Sequence, residues 1–327
     1  MKKSLIKRYF VFREFFFLVV ICFFLNNNAI AQQVRNPLFN GYYAADPTIV
    51  NYKGNFYVYA TKDPWGGSDL AVFETKDFIH WQQKQINWPT KQQCTSPTSK
   101  ESMVWAPSVV QKNGKFYMYV SVGSEVWAGV ADNPLGPWKN ITTDNSPLIP
   151  ANYFPGYHMI DAECFIDDDG QTYLYWGSGL NWVNGKCFVV KLKPDMYHFD
   201  GKPKDVTPPD YFEGPYMYKR AGKYYLMYSN GKAIDSTYNI RYSIGNSPYG
   251  PWKEGANSPI LSSTKDGKVI GPGHHTMFTL NNQVYILFHK IFPQKRDYVL
   301  RQLCLGKIEF DKDGNMKKVI YQDTLGL

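Results

Sequence analysis

The chain is built from short runs rich in aromatic and β-branched residues, each set off by polar turn residues. The stretch from Tyr211 to Ser229 shows the unit most plainly. Two aromatic-rich runs flank Arg220-Ala221-Gly222-Lys223, and Glu213 stands at the leading edge. Gly accepts the positive φ of a tight turn, and Tyr224-Tyr225-Leu226-Met227-Tyr228 has strand composition. The stretch therefore predicts a β-hairpin that opens on a carboxylate.

The same hairpin recurs along the chain. Its turn markers are Gly54, Gly114, Gly170, Gly222 and Asn282, at intervals of 60, 56, 52 and 60 residues. Asn in the fifth copy is the next-best residue for positive φ. A second mark follows in several copies: His80-Trp81, Gly136-Pro137-Trp138 and Gly250-Pro251-Trp252. A period of about 55 residues accommodates four short strands and their loops. Five such units predict an all-β, five-bladed β-propeller with four-stranded antiparallel blades around a central channel. A β-sandwich with chance likeness between its hairpins would not keep so even a spacing.

Eight or nine residues ahead of each marker stand Asp46, Trp105, Asp161, Glu213 and His274. These are read as equivalent points at the start of each unit's first strand, the strand that lines a propeller's channel. The five residues should then converge on one axis, at one end, as a candidate active site.

Residues 1–31 are read as a separate leader. Lys2, Lys3, Lys7, Arg8 and Arg13 precede an apolar run from Phe15 to Leu25, and Ala29-Ile30-Ala31 offers small residues for cleavage. This is the layout of a secretory signal peptide. The run is too short to span a bilayer, which takes about 20 residues. Residues 32–327 then form one catalytic propeller domain, exported to the periplasm or outside the cell, with no membrane contact in the mature form. The leader carries five of the basic residues and Glu14. What remains of the +8 formal charge is too mild to imply nucleic acid. The 25 tyrosines and 9 tryptophans suit a carbohydrate partner, although most should fill the space between blades. A monomer is expected. Cys94, Cys164, Cys187 and Cys304 remain after export. Cys164 and Cys187 fall on strands two apart, roughly 9.5 Å, beyond the reach of a disulfide.

Cleaving a glycosidic bond takes one protonated and one ionised carboxyl group on opposite sides of the anomeric carbon. Asp46 and Glu213, in the first and fourth of five units, are the natural pair across a channel mouth. Asp161, in the third, would sit beside Glu213, raise its pKa and orient it. Such an arrangement suits inversion, in which the carboxyls stand roughly 6.5–9.5 Å apart. Each acid could alone be an ordinary turn residue, as Asp167, Asp168 and Asp169 are read to be. Shared register sets the three apart. Trp105 is either a stacking wall for a sugar or packing between blades. Trp81, Trp138 and Trp252 are assigned to structure.

The motifs Ala45-Asp46-Pro47-Thr48-Ile49, Trp105-Ala106-Pro107-Ser108, Ile160-Asp161-Ala162-Glu163, Phe212-Glu213-Gly214-Pro215 and Gly271-Pro272-Gly273-His274 resemble glycoside hydrolase family 43. The resemblance covers roughly residues 36 to 320. It implies a five-bladed propeller and an inverting glycosidase, with Asp46 as general base, Asp161 tuning and orienting the acid, and Glu213 as general acid. It implies substrates among α-L-arabinofuranosides and β-D-xylosides, and in some members galactosides or galactofuranosides. His274 matches a histidine that in many members holds Ca²⁺ or another metal through water; a hydrogen-bonded histidine without metal fits the residues equally. Only one of His274 and His275 can face the axis. Arg301 resembles an arginine that contacts the sugar, and a blade-edge arginine is its plain alternative.

The expected function is an exo-acting hydrolase releasing arabinofuranose or xylose from oligosaccharides of plant polysaccharides. A galactofuranosidase or galactosidase on the same scaffold, and a carbohydrate-binding propeller without catalysis, are the alternatives. Loops 87–103, 152–159 and 232–238 should set pocket depth and hence the sugar.

Overall fold

The computed structural model describes residues 33–294 and 298–327. The leader read at 1–31 lies outside the described residues. Those described form an all-β, five-bladed propeller, with no helix among them.

Each blade begins with a long hairpin. The leading strands are Ala44–Tyr52, Val104–Lys112, Glu163–Ile166, Glu213–Arg220 and Gly273–Leu280. Each pairs antiparallel with the strand that follows its turn. The turns behave as their residues require: Gly54, Gly114, Gly170, Gly222 and Asn282 have φ of 81°, 77°, 82°, 73° and 62°. Four are preceded by a second left-handed residue (Lys53, Asn113, Ala221, Asn281). Two consecutive positive φ values match the right-handed twist of the strands they join. The second strands are almost wholly buried, as in Thr172–Trp176, because both faces pack against neighbouring blades. Trp138 and Trp81 fill space near blade edges, their indole N–H groups donating to Pro134 O and Phe78 O. With Trp252 they belong to the core clusters, as expected.

The fifth blade departs from the four-stranded expectation. It has three strands, ending at Arg301–Ile308. The edge where a fourth would pair is taken by the segment entering the first blade. Asn36 clamps Leu305, donating through Nδ2 to its carbonyl and accepting its N–H, both at 2.8 Å. Leu38 N–H donates to Leu303 O, and Gln33–Arg35 pairs with Thr324–Gly326. The ring is thereby closed through both ends of the domain.

All four cysteines among the described residues are free and buried. Their pairing is not needed to hold blades that already share continuous apolar clusters.

Candidate active site

The leading strands meet around the channel, and each carries a left-handed residue near its start. These are Asp46, Ala106, Asp161, Gly214 and His274, with φ of 50°, 42°, 59°, 60° and 30°. In four blades the pairing register shifts at this point. A bulge sets two residues against one and bends the strand toward the axis. The fivefold set thus differs from the sequence reading at two places: Ala106 and Gly214 hold the equivalent positions, and Trp105 and Glu213 stand one residue ahead. A bulge adds a residue that counting from the turn cannot see.

A second set of residues, seven positions after each turn marker, ties this ring together. Thr61 Oγ1 accepts Ala106 N–H (2.8 Å), Ser121 Oγ accepts Asp161 N–H (3.0 Å), and Ser229 Oγ accepts His274 N–H (2.9 Å). His289 Nδ1 accepts Asp46 N–H at 3.2 Å. Each bond runs from one blade to the next. In the third blade the position is Gly177, which has no side chain to offer the Gly214 N–H. His289 Nδ1 also stands 3.2 Å from Asp46 Oδ1, to which the other tautomer would donate, and burial holds the ring below its usual range.

A cavity of about 430 Å³ opens over this ring. Asp46, Asp161, Glu213, Trp105, His274 and Arg301 all line it. Trp65, His158, Ser178, Asn181, Trp182 and Phe212 complete most of the wall. Loops 152–159 and 232–238 contribute His158 and Ala233, whereas no residue of 87–103 reaches the lining. The segment 178–182, which sequence reasoning passed over, supplies more of it than either.

Arg301 is buried and its guanidinium is committed to carboxylates. Nη1 donates to Asp46 Oδ1 (3.0 Å), Nη2 to Asp63 Oδ1 (2.6 Å), and Nε to both Asp63 oxygens. The Asp63 side chain is fully buried against it. Thr61 Oγ1 donates to Asp46 Oδ2 at 2.7 Å. Burial alone would raise the Asp46 carboxyl, but Arg301 above all holds it well below the usual carboxylate range. His274 Nδ1 lies 3.5 Å from Asp46 and 3.7 Å from Asp161. Burial pushes His274 down to about 4, so near neutrality it is an uncharged spacer between the two acids. His275 points away from the cavity and is buried against Tyr216.

Glu213 and Asp161 are raised, not lowered. Burial is the main cause for both, and Asp161 also feels the charges of Glu213 and Asp46. Glu213 is pulled back by two donors, Tyr238 Oη to Oε1 (2.7 Å) and Ser178 Oγ to Oε2 (2.9 Å). Glu213 acts on Asp161, but the influence of Asp161 on Glu213 expected from sequence is not among the leading causes there, which are burial, Tyr238, Ser178, Asp46 and Arg301. Both carboxyls are thus pushed above the usual carboxylate range, while Asp46 is held below it.

Among the described residues no group of three or more His, Cys, Asp or Glu side chains is arranged to hold a metal ion. Ca²⁺ takes six to eight oxygens. One neutral imidazole beside an Asp46 carboxylate already bound to Arg301 and Thr61 does not make that cage.

Residues 34–316 match the family described as Glycosyl hydrolases family 43. The chain is 30% identical over 301 residues to a β-D-galactofuranosidase of Aspergillus niger, covering 87% of this chain and 84% of that protein. It is 26% identical to a β-xylosidase of Xylanibacter ruminicola over 85% of this chain and 97% of that one. Among solved structures, a thermostable family-43 glycoside hydrolase superposes with a TM-score of 0.73 at 26% identity, covering 88% of this chain and 96% of its own.

Proposed function

The chain belongs to glycosyl hydrolase family 43, enzymes that hydrolyse O-glycosyl bonds, and from that premise we propose an inverting, exo-acting glycosidase releasing α-L-arabinofuranose or β-D-xylose. The observation that carries the proposal is the contrast in surroundings between two carboxyls lining one cavity. Asp46 is kept ionised by Arg301, and Glu213 is raised by burial.

In this reading Glu213 gives its proton to the glycosidic oxygen as the bond to the anomeric carbon breaks. Asp46 takes a proton from the water that attacks the opposite face. Asp161, its backbone N–H held by Ser121 Oγ, tunes and orients the acid; once product leaves, the proton on Asp46 passes to water and Glu213 takes one from water, restoring the starting state. Trp105, its indole N–H tied to Gly123 O at 2.9 Å, offers a rigid wall to the sugar ring. Arg301 acts by holding Asp46, with few donors left for a sugar. The substrate is an oligosaccharide of plant polysaccharide, and a cavity of about 430 Å³ suits a terminal unit with part of its neighbour.

A second reading, release of β-D-galactofuranose, is favoured by the Aspergillus niger relative. A panel of nitrophenyl arabinofuranosides, xylosides and galactofuranosides separates the two. With the preferred glycoside, Glu213→Gln should lose at least about 100-fold in kcat, the scale of general acid catalysis. Activity that survives the substitution would remove Glu213 from its role. Export rests on the leader, and the mature protein recovered outside the cytoplasm should begin near Gln32; recovery of the intact chain from the cytoplasm would refute it.

A further inference from the structure

Glu213 presents two oxygens to very different surroundings. Oε2 meets Ser178, which lines the cavity; Oε1 meets Tyr238, which is 1% exposed and not part of the lining. Tyr238 is fixed on every side. Its ring stacks on His289 (5.9 Å, 8° between planes) and lies so close to Gly273 that a Cβ there would fall 1.7 Å from a ring carbon.

Packed in place, Tyr238 has Glu213 Oε1 as the acceptor of its hydroxyl hydrogen at 2.7 Å. Ser178 has no such constraint. Its hydroxyl can donate to Oε2 at 2.9 Å or turn toward Gly179 O at 3.4 Å and accept.

We propose that Tyr238 is a positioning residue for the acid: it makes Oε1 a standing acceptor, so that the transferable proton of Glu213 resides on Oε2, the oxygen beside the cavity. When Glu213 is protonated, Ser178 turns to Gly179 and accepts. When the proton passes from Oε2 to the glycosidic oxygen, the bonding pair of the breaking C–O bond stays on that oxygen. Both hydroxyls then donate to the carboxylate left behind. Donors to the charged form lower a pKa, so Tyr238 keeps the buried Glu213 a stronger acid than burial alone would allow.

The inference rests on Glu213 being the acid, and its test separates the two. Tyr238→Phe keeps the ring that packs on His289 and Gly273 and removes only the donor. The alkaline limb of kcat/KM against pH should move up by about one unit, from the loss of one hydrogen bond to a charged group. The rate on a methyl or sugar leaving group should fall about 10-fold, with little change on a dinitrophenyl group that needs no proton. An unmoved alkaline limb, with equal losses on both leaving groups, would overturn the role of Tyr238. If Glu213→Gln itself hurts both leaving groups equally, the acid assignment fails instead and takes this inference with it. Should Tyr238→Phe not fold, 3-fluorotyrosine at position 238 decides: a more acidic phenol donates more strongly to Oε1 and should shift the same limb downward, and an unshifted limb there rejects the proposal.

Discussion

Asp161 is buried with Glu213 and Asp46 as neighbours, so its charged form is disfavoured in the fold relative to the unfolded chain. A carboxyl whose folded pKa is raised costs stability above its unfolded value, near pH 4, and the cost disappears below it. Asp161→Asn keeps the shape of the side chain and removes the charge. Calorimetry should show a Tm higher by about 2 °C or more at pH 7, with the gain gone at pH 4 and activity largely lost. Arg301 has the opposite sign. Its removal strands Asp46 and Asp63 in the interior, and Arg301→Met should lose about 3–5 kcal/mol. An Asp161→Asn protein no more stable than the parent at pH 7 would mean that the acids are better compensated than their partners suggest. At this scale Asp46 and Asp161 were legible in a common register, and Glu213 one residue ahead of it. Asp63, Tyr238 and Ser178 were not, because each follows its turn or precedes its strand at an offset no other unit repeats. Arg301 was legible as a residue of the site, but its carboxylate partners were not.

The hairpin is the element on which the molecule is repeated, and its turns were readable because positive φ restricts the residues that can occupy them. The inter-blade ring was also written in the chain. Thr61, Ser121, Gly177, Ser229 and His289 stand seven residues past their markers, small or polar at the ends of apolar strands. Their meaning appears only when the next blade brings an amide to each. Ser121→Ala leaves Asp161 N–H buried without an acceptor and should cost about 1–3 kcal/mol. Urea unfolding measures the loss, and an unchanged midpoint would show that the ring does not bear on stability. The bulge at each leading strand was hidden, since two-to-one pairing depends on a partner strand. It moved the equivalent positions to Ala106 and Gly214. Glu213 precedes its bulge, which lets its carboxyl lean toward Ser178 and Tyr238 instead of facing Asp161 alone.

Over the whole molecule, five near-even repeats made the propeller legible, and closure of the ring brought Asp46 beside residues more than 200 positions away. The fifth blade's missing strand could not be read, because Asn36 and its neighbours, far off in sequence, cover that edge. Nor could the cavity wall from 178–182 be foreseen, a loop without periodicity. What the assembled ring provides is Asp46 paired with Arg301 and a raised Glu213 around one space, and the proposal of direct displacement by water rests on that contrast. Proton NMR of the first turnovers on the preferred glycoside tests this most directly. The sugar should appear first in the anomeric configuration opposite to the substrate and equilibrate only later. A first product of the same configuration as the substrate would contradict the account, since it would require a carboxylate to bond to the sugar.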